Sequence, residues 1–469
     1  MLVQFTVSNF SSFANESIFS MLADRGDGQH LDHLLIAVGR KKEALVRGAA
    51  LYGANGAGKS NLIQALAFAK DRIVKGSRGN EVIPVDTFRL DPSLRDKASG
   101  FEFIFQHNET TYSYGFRATR HRIEEEWLFA TPHKPRSREA LLFERTTGKD
   151  DKTNVTFGER LFDGERGKPF FEFVAQGTRP NQLFLTEAFE RNAESVRPIM
   201  AWFREVLIIV PAESTNNSLE VNTHVSEDLT RFIGDFLREA GTGVAHIRSR
   251  EMPVNMDTWL PNLPDDQRDE LRADFSKLTP DSIMDLRLGN GRRYLLKKDE
   301  QGDLTQIRLN TVHKASDGSD VEFSLSEESD GTQRLTHLIP LLFSMNQKSH
   351  VIIMDEIDRR LHPSLCRRFV EAALSCGSDA GHSQIIFTTH DTNLLDLDLL
   401  RRDEIWFVEK DAHGASRMYS LVEFSIRPDL KISKGYLNGR FGAIPFLGDI
   451  CNLVWIKHQS PEAIAEVAA

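Results

Sequence analysis

The stretch Gly53-Ala-Asn-Gly-Ala-Gly-Lys59-Ser60 decides the fold of this chain. It fits the pattern G-x-x-x-x-G-K-[ST] at every position. Glycines let backbone N–H groups wrap phosphates, and the N-terminus of a following helix favours negative charge. An apolar run over 49–52 precedes the loop and helix-forming residues 61–70 follow it. The sequence therefore predicts strand, phosphate loop and helix, and a chance glycine-rich turn is the weaker interpretation.

The loop also predicts roles for single residues. Lys59 would reach the outer phosphates of a nucleotide, and Ser60 would ligate Mg²⁺. The residues predicted to bind the nucleotide here are Asn55, Gly56, Gly58, Lys59, Ser60 and Asn61.

A second chemical signal is Val351-Ile-Ile-Met-Asp355-Glu356, an apolar strand that ends in two acids. Acids at the carboxyl end of a buried parallel strand lie where ligands bind in open α/β sheets. Asp355 would hold Mg²⁺ directly or through water, and Glu356 would polarise the attacking water. Acids at an ordinary helix N-terminus are the alternative. The phosphate loop in the same chain makes that alternative the weaker one.

Two other segments complete the predicted site. Ile385-Ile-Phe-Thr-Thr-His390 is a strand that ends in a histidine, and His390 would sense the γ-phosphate. Ser329-Asp-Gly331 precedes a stretch with helical spacing. Ser329 is either a simple helix cap or, with Gly331, an anion site that faces the phosphate of a second subunit.

The order of these motifs resembles that of the ABC-type ATPases, in particular the ABC/SMC class of the RecF and Rad50 kind. Asp355-Glu356 is similar to the Walker B motif with its catalytic glutamate, and Asp358 falls where the D-loop would be. Ser329-Asp-Gly331-Thr-Gln resembles an altered signature motif. The resemblance implies ATP with Mg²⁺ as cofactors, and catalytic roles for Glu356, His390 and Lys59.

The whole chain resembles the AAA-15/AAA-21 group of predicted ATPases, which includes ATPase components of abortive-infection and other anti-phage operons. This resemblance implies a prokaryotic defence ATPase that forms at least an ATP-linked dimer and controls a separate effector, such as a nuclease or toxin. The matching stretches are 5–13, Glu126-Trp-Leu, Ser329-Asp-Gly-Thr, 355–363 and 439–445.

The predicted fold class is α/β: a P-loop ABC-type ATPase head with a mixed sheet and flanking helices. Short strand signals over 84–185 predict an antiparallel β subdomain, in which residues 106–110 look like a hairpin connection between two strands. No heptad pattern supports a long coiled coil. We expect three parts: an N-terminal ATPase lobe over 1–185, a mainly helical insertion over 186–319 and a C-terminal lobe over 320–469. The two lobes would form one head around the insertions.

Composition limits the partners and the compartment. Lys and Arg number 58 against 68 Asp and Glu, so the formal net charge is −10 and a surface coated in positive charge is excluded. Three cysteines without a CxxC pair predict a reducing, cytoplasmic compartment. No run of about 18 apolar residues occurs, so the sequence does not predict a membrane span. A transporter subunit is disfavoured because the chain carries two large insertions and no clear Q-loop. A GTPase is disfavoured because no [NT]KxD motif occurs.

Nucleic acid stays open as a partner. The alternative to effector control is a DNA-repair ATPase of the RecF kind that binds DNA directly. Two stretches, 132–145 and 287–298, are locally basic and would supply a groove. A solvated charged face is the more common meaning of such stretches. They carry Lys134, Arg136, Arg138, Arg145, Arg287, Arg292, Arg293, Lys297 and Lys298.

Overall fold

The computed structural model describes residues 1–36, 44–77, 79, 81–134, 136–148, 150–162, 167–216, 218–254, 265–279, 282–287, 293–299, 301–375, 382–425 and 431–444. The strands are β1 Leu2–Ser8, β2 Ser17–Ser20, β3 Leu34–Ile36, β4 Ala44–Val46, β5 Gly48–Tyr52, β6 Ser99–His107, β7 Thr110–Ala118, β8 Ile123–Pro132, β9 Ala140–Thr147, β10 Thr153–Phe157, β11 Leu207–Val210, β12 His246–Pro253, β13 Ile283–Arg287, β14 Arg293–Lys298, β15 Leu304–Lys314, β16 Asp320–Ser324, β17 Val351–Met354, β18 Gln384–Thr388, β19 Ile405–Lys410 and β20 Ser416–Ser420. The helices are α1 Lys59–Lys75, α2 Lys168–Gly177, α3 Phe184–Glu190, α4 Arg197–Ala201, α5 Leu219–Val225, α6 Glu227–Glu239, α7 Asp265–Ser276, α8 Asp330–Gln347, α9 Pro363–Ser375 and α10 Ile432–Leu437.

A six-stranded sheet forms the centre of the head, in the order β11-β17-β18-β5-β19-β20. Its first five strands are parallel and β20 is antiparallel. The sheet is buried on both faces, which explains why its strands are continuous apolar runs. Along β5, Leu51 belongs to one hydrophobic cluster and Tyr52 to the other, as the two-residue period of a strand requires.

A seven-stranded antiparallel sheet, in the order β10-β9-β8-β7-β6-β1-β2, packs beyond α1. Phe68 of α1 contacts Phe101 of β6, with ring centroids 5.2 Å apart. The predicted hairpin link between β6 and β7 is a two-residue turn. Asn108 and Glu109 both have positive φ values, 46° and 55°, as a type I′ turn requires. The predicted antiparallel region is therefore confirmed, and it includes the N-terminal strand.

The antiparallel sheet is attached to α3 through a buried charge. Glu126 of β8 accepts hydrogen bonds from the backbone N–H groups of Phe184 (2.7 Å) and Leu185 (3.0 Å), at the start of the helix. Arg145 lies 3.4 Å from the same carboxylate, and both side chains are fully buried. Tyr114 donates a third hydrogen bond. The Glu126-Trp-Leu stretch thus joins the sheet to the helices that follow it.

The segment 186–319, for which a mainly helical insertion was predicted, contains both helices and strands. β11 of this segment is an edge strand of the central sheet and pairs in parallel with β17. The antiparallel strands β12 to β15 form most of a third, five-stranded sheet. Their mixed polar and apolar residues lack the continuous apolar run of a buried strand. Local sequence does not distinguish β11 or the strands β12 to β15 from helical segments, and pairing with distant strands decides their structure.

The three-part division itself stays a prediction, and elements cross both of its boundaries. Residue 185 lies inside α3, and β16 pairs with β15 across residue 319. The longest helix in the described ranges, α8, has 18 residues. None of the helices within those ranges is long and apolar enough to cross a membrane.

Candidate functional site

The phosphate loop lies where the sequence predicts it, between the carboxyl end of β5 and the first turn of α1. Gly56 and Gly58 have φ values of 75° and 117°, a region that favours glycine. A Cβ at Gly58 would lie 2.2 Å from the Ser416 hydroxyl, and one at Gly53 would lie 2.3 Å from the Val408 carbonyl oxygen. Backbone shape and close packing therefore both require glycine in this loop. Its N–H groups and the start of α1 form a cradle for phosphate.

Lys59 is folded back onto its own loop. Its ammonium donates to the carbonyl oxygens of Gly53 (2.8 Å) and Ala54 (3.3 Å). Burial lowers the pKa of Lys59 to about 8, although Asp355, the largest opposing influence, raises it. A desolvated ammonium held only by carbonyl oxygens gains strongly from a polyphosphate. Lys59 is therefore placed to bind the outer phosphates of a nucleotide.

Ser60 and Asp355 are hydrogen-bonded to each other at the carboxyl edge of the central sheet. The Ser60 hydroxyl donates to Asp355 Oδ1 at 3.1 Å. Neighbouring ligands of an octahedral Mg²⁺ ion, each at about 2.1 Å, are about 3.0 Å apart. The hydroxyl and carboxylate oxygens thus fit the chemistry and spacing of a Mg²⁺ site, and these two residues would hold the ion. When bound, Mg²⁺ neutralises charge on the β- and γ-phosphates.

Thr388, at the end of β18, orients the two acids. Its hydroxyl donates to Asp355 Oδ1 at 2.7 Å and accepts the backbone N–H of Glu356 at 2.7 Å. Glu356 has a φ of 48°, which is uncommon for a non-glycine residue. The hydrogen bond to Thr388 helps to maintain this backbone conformation. No role was predicted for Thr388, although the polar run that ends β18 was an available signal.

Arg359 holds the side chain of Glu356. It lies 3.2 Å from Glu356 Oε2, and its other terminal nitrogen donates to Glu213 Oε1 at 2.6 Å. Glu213 follows β11, the strand that the sequence did not place in the central sheet. The three side chains form a carboxylate–guanidinium–carboxylate chain beside the Mg²⁺ ligands. Sequence analysis missed it because Glu213 and Arg359 are 146 positions apart.

His390 lies on the same side of the sheet. Its backbone N–H points to both carboxylate oxygens of Asp358, at 3.4 Å each. Burial lowers the pKa of the His390 imidazole, and the positive charge of Lys59 lowers it further. A neutral imidazole near Lys59 can donate one N–H to a terminal phosphate oxygen. The predicted sensor is therefore near the phosphate loop in space.

Ser329 and Gly331 form the first turn of α8. The Ser329 hydroxyl accepts the backbone N–H of Thr332 at 3.2 Å, so Ser329 is the helix cap that one interpretation required. A Cβ at Gly331 would lie 3.0 Å from the Arg360 carbonyl oxygen, which places this turn against the segment after Asp358. In the described part of the chain, no hydrogen bond or ion pair joins Ser329 or Gly331 to the phosphate loop.

Two serines that the sequence analysis did not single out brace the loop from outside. Asn61 donates to the Ser12 hydroxyl at 2.7 Å, and Ser416 donates to the Ala57 carbonyl at 2.6 Å. Ser12 and Ser416 also contact each other at 2.7 Å. The Asn61 side chain is therefore engaged with Ser12. Asn55 and Gly56 remain exposed at the tip of the loop, where a nucleotide would arrive.

Three charges of the basic stretches are engaged within the chain. Arg145 is the buried partner of Glu126. Lys297 pairs with Glu251 at 3.0 Å, and Lys298 donates to the Leu278 carbonyl. Arg292 lies outside the described residues, as does Pro445 of the last matching stretch. Arg145, Lys297 and Lys298 thus offer little support for a basic groove, whereas Lys134, Arg136 and Arg138 of the first stretch are exposed.

A central parallel sheet, a phosphate loop, paired acids and a strand-end histidine define a P-loop ATPase head of the ABC/SMC class. The chain belongs to the family described as "AAA domain, putative AbiEii toxin, Type IV TA system", whose model matches residues 49–396. That span covers strands β5, β11, β17 and β18 of the central sheet and all the residues predicted for the nucleotide site. No protein in the curated comparison matches the sequence.

Several solved structures are similar to the chain at low identity. One is an SMC head bound to the C-winged helix domain of ScpA, with 12% identity and a TM-score of 0.40, over 89% of this chain and 97% of that one. The SMC head domain from Thermotoga maritima has 13% identity and a TM-score of 0.35, over 91% and 99%. The recombination mediator RecF with ATP has 14% identity and a TM-score of 0.29, over 89% and 99%.

Proposed function

We propose that this chain binds ATP with Mg²⁺ and hydrolyses it. The observation that carries the proposal is the hydrogen-bond chain from Ser60 through Asp355 to Thr388. It connects the phosphate loop to the acid strand, and it fixes the backbone of Glu356 beside the Mg²⁺ ligands. Glu356 would polarise the attacking water, while Lys59 and His390 stabilise negative charge on the γ-phosphate.

Two protomers would complete each site. Ser329 and Gly331 have no hydrogen bond to the phosphate loop in the described part of the same chain, and they start a helix whose N–H groups can bind an anion. In a head-to-tail dimer they would face the γ-phosphate bound by the other protomer. ATP would then hold the dimer together, and hydrolysis would release it. The proposed assembly is a homo-oligomer, at least a dimer.

The proposed biological role is control of a separate effector protein, such as a nuclease or toxin, in prokaryotic anti-phage defence. The family description, which names a toxin and a toxin–antitoxin system, supports this role. Direct DNA binding of the RecF kind loses part of its sequence support, because Arg145, Lys297 and Lys298 are engaged within the chain.

The test of the enzymatic proposal is ATP turnover by the purified chain. We expect turnover that needs Mg²⁺ and is lost in Lys59→Ala, while Lys75→Ala, at the exposed end of α1, retains it. Equal turnover by Lys59→Ala and the parent chain would contradict the proposed site. For the biological role, the parent and Lys59→Ala proteins would be expressed with their genomic neighbours in a phage-challenged host. Protection that does not depend on Lys59 would contradict ATP-driven control.

A further inference from the structure

Three side chains with metal-ligating atoms lie together far from the phosphate loop. They are His30, Asp32 and His33, on the 3₁₀ turn Leu31–His33 that precedes β3. One ligand atom of each lies within 4.8 Å of the other two, and the described residues contain no second such group. Side chains three positions apart eclipse in a 3₁₀ turn. The two imidazole rings accordingly stack, with centroids 4.9 Å apart.

The buried member, His33, has its tautomer fixed by a carboxylate. Its Nδ1 lies 2.9 Å from Glu404 Oε2, and a carboxylate oxygen can only accept, so Nδ1 carries the proton. Glu404 is fully buried, and it also accepts the backbone N–H groups of Gly48 (3.0 Å) and Arg401 (2.9 Å). In the neutral ring, His33 Nε2 is left with a lone pair.

The half-buried member, His30, is fixed by a backbone carbonyl. Its Nε2 lies 2.7 Å from the Leu397 oxygen, which again can only accept. Nε2 therefore carries the proton, and Nδ1 has the lone pair in the neutral ring. Metal-binding histidines usually donate their other N–H to a carboxylate or a backbone carbonyl. Here His33 donates to a carboxylate and His30 donates to a backbone carbonyl.

We propose that His30, Asp32 and His33 bind a Zn²⁺ ion, through His30 Nδ1, His33 Nε2 and a carboxylate oxygen of Asp32. Two imidazoles and one carboxylate suit zinc, whereas Mg²⁺ prefers oxygen ligands alone. Ligands of a tetrahedral zinc ion are about 3.4 Å apart and an imidazole lone pair lies in its ring plane, so the stacked His30 ring must turn toward the ion on binding. Asp32 is exposed and His30 is half-buried, which allows this movement, while Glu404 keeps His33 in place.

The site would act as a structural clamp. Gly48, which Glu404 contacts, begins β5, whereas the phosphate loop follows the other end of that strand. The zinc site is therefore at the opposite edge of the central sheet from the nucleotide. Arg401 already ties the N-terminal segment to this edge through the carbonyl oxygens of Asp24 and Asp27. Zinc would reinforce the same attachment and raise the thermal stability of the head.

The experiment uses the full chain without nucleotide, so that the Mg²⁺ site of the head does not contribute. The protein is stripped with EDTA, dialysed and titrated with ZnCl₂ in a calorimeter. Zinc content after gel filtration is measured by mass spectrometry. We expect one zinc ion per chain and a higher melting temperature with zinc than with EDTA. His30→Gln and Asp32→Asn should each lower zinc affinity at least about 10-fold.

Matched variants separate this site from other histidines and from the nucleotide site. His121→Gln and Asp317→Asn change exposed residues elsewhere and should bind zinc as the parent chain does. Lys59→Ala should also retain zinc, which makes the result independent of the proposed ATPase activity. The test variants alter one exposed and one half-buried side chain, so we expect them to fold. Circular dichroism verifies this. The proposal would be overturned if the parent chain retained no zinc. It would also be overturned if the His30 and Asp32 variants retained as much zinc as the parent chain.

Discussion

Ser60 and Asp355, which are 295 positions apart in the chain, are joined by a 3.1 Å hydrogen bond between the serine hydroxyl and a carboxylate oxygen. The bond links the first turn of α1 to the end of β17. It is possible because β5 and β17 are both parallel neighbours of β18 and end at the same edge of the sheet. Sheet topology thus brings together the two residues proposed to hold Mg²⁺.

Nucleotide affinity should depend on pH through Lys59. Its pKa is lowered to about 8 in the free chain, and contact with phosphates would raise it. Binding therefore favours the protonated form and is strongest below pH 8. Above pH 8, each unit should weaken ATP binding by up to about 10-fold until the pKa of the complex is reached. Calorimetry in buffers of different ionisation enthalpy should show proton uptake at pH 8.5, and a pH-independent affinity would contradict this.

Glu356→Gln should bind ATP and lose turnover. Glutamine keeps the size of the side chain and the backbone hydrogen bond to Thr388, but it is a poor base. We expect turnover to fall by about 100-fold or more, and ATP to trap a dimer that light scattering detects. Glu371→Gln, on the exposed side of α9, is the matched control and should behave as the parent chain. Parental turnover by Glu356→Gln would remove Glu356 from the mechanism.

Arg359→Ala should lower kcat and leave KM for ATP nearly unchanged. Arg359 positions the Glu356 carboxylate and has no hydrogen bond to the phosphate loop among the described contacts. A misplaced carboxylate should cost about 10-fold in kcat. Glu213→Gln, which removes the other partner of Arg359, should produce a smaller loss in the same direction. Arg368→Ala, exposed on α9, is the control. A change confined to KM would argue against a positioning role.

Ser329→Arg should block the ATP-dependent dimer and spare ATP binding to the single protomer. A long cation at the start of α8 would occupy the space proposed for the partner's γ-phosphate. Loss of the helix cap costs only about 1 kcal/mol, so the head should stay folded. Ser329→Ala measures the cap loss alone, and Ser326→Arg places the same charge three residues away. Normal ATP-dependent dimers of Ser329→Arg would disprove the assignment of this turn.

Glu126→Ala should destabilise the head strongly. It leaves the Arg145 guanidinium buried without its carboxylate and removes the acceptor of two N–H groups at the start of α3. Breaking such a pair costs about 3–5 kcal/mol. Its neighbour Glu125 forms only a surface pair with Arg117, so Glu125→Ala should cost less than about 1 kcal/mol. Equal urea midpoints for the two variants would contradict the role given to Glu126.

The sequence by itself determined the motifs and the main strands of the head. Continuous apolar runs predicted β5, β17 and β18, because a parallel sheet covered on both faces leaves no polar positions along a strand. The spacing of glycines and Lys59 predicted the phosphate loop, because a short backbone segment decides that shape locally. For the same reason, the β6–β7 hairpin was predicted from adjacent residues alone.

Only the tertiary structure decided which distant residues meet. β11 is four apolar residues, too short to distinguish from part of a helix until it pairs with β17. Arg145 appeared as part of a basic surface and is buried, because Glu126 and the carbonyl oxygens around it satisfy its charge. The contacts of Glu213 with Arg359, and of His33 with Glu404, span 146 and 371 positions. Packing of the central sheet creates these contacts, and no local pattern in the sequence specifies them.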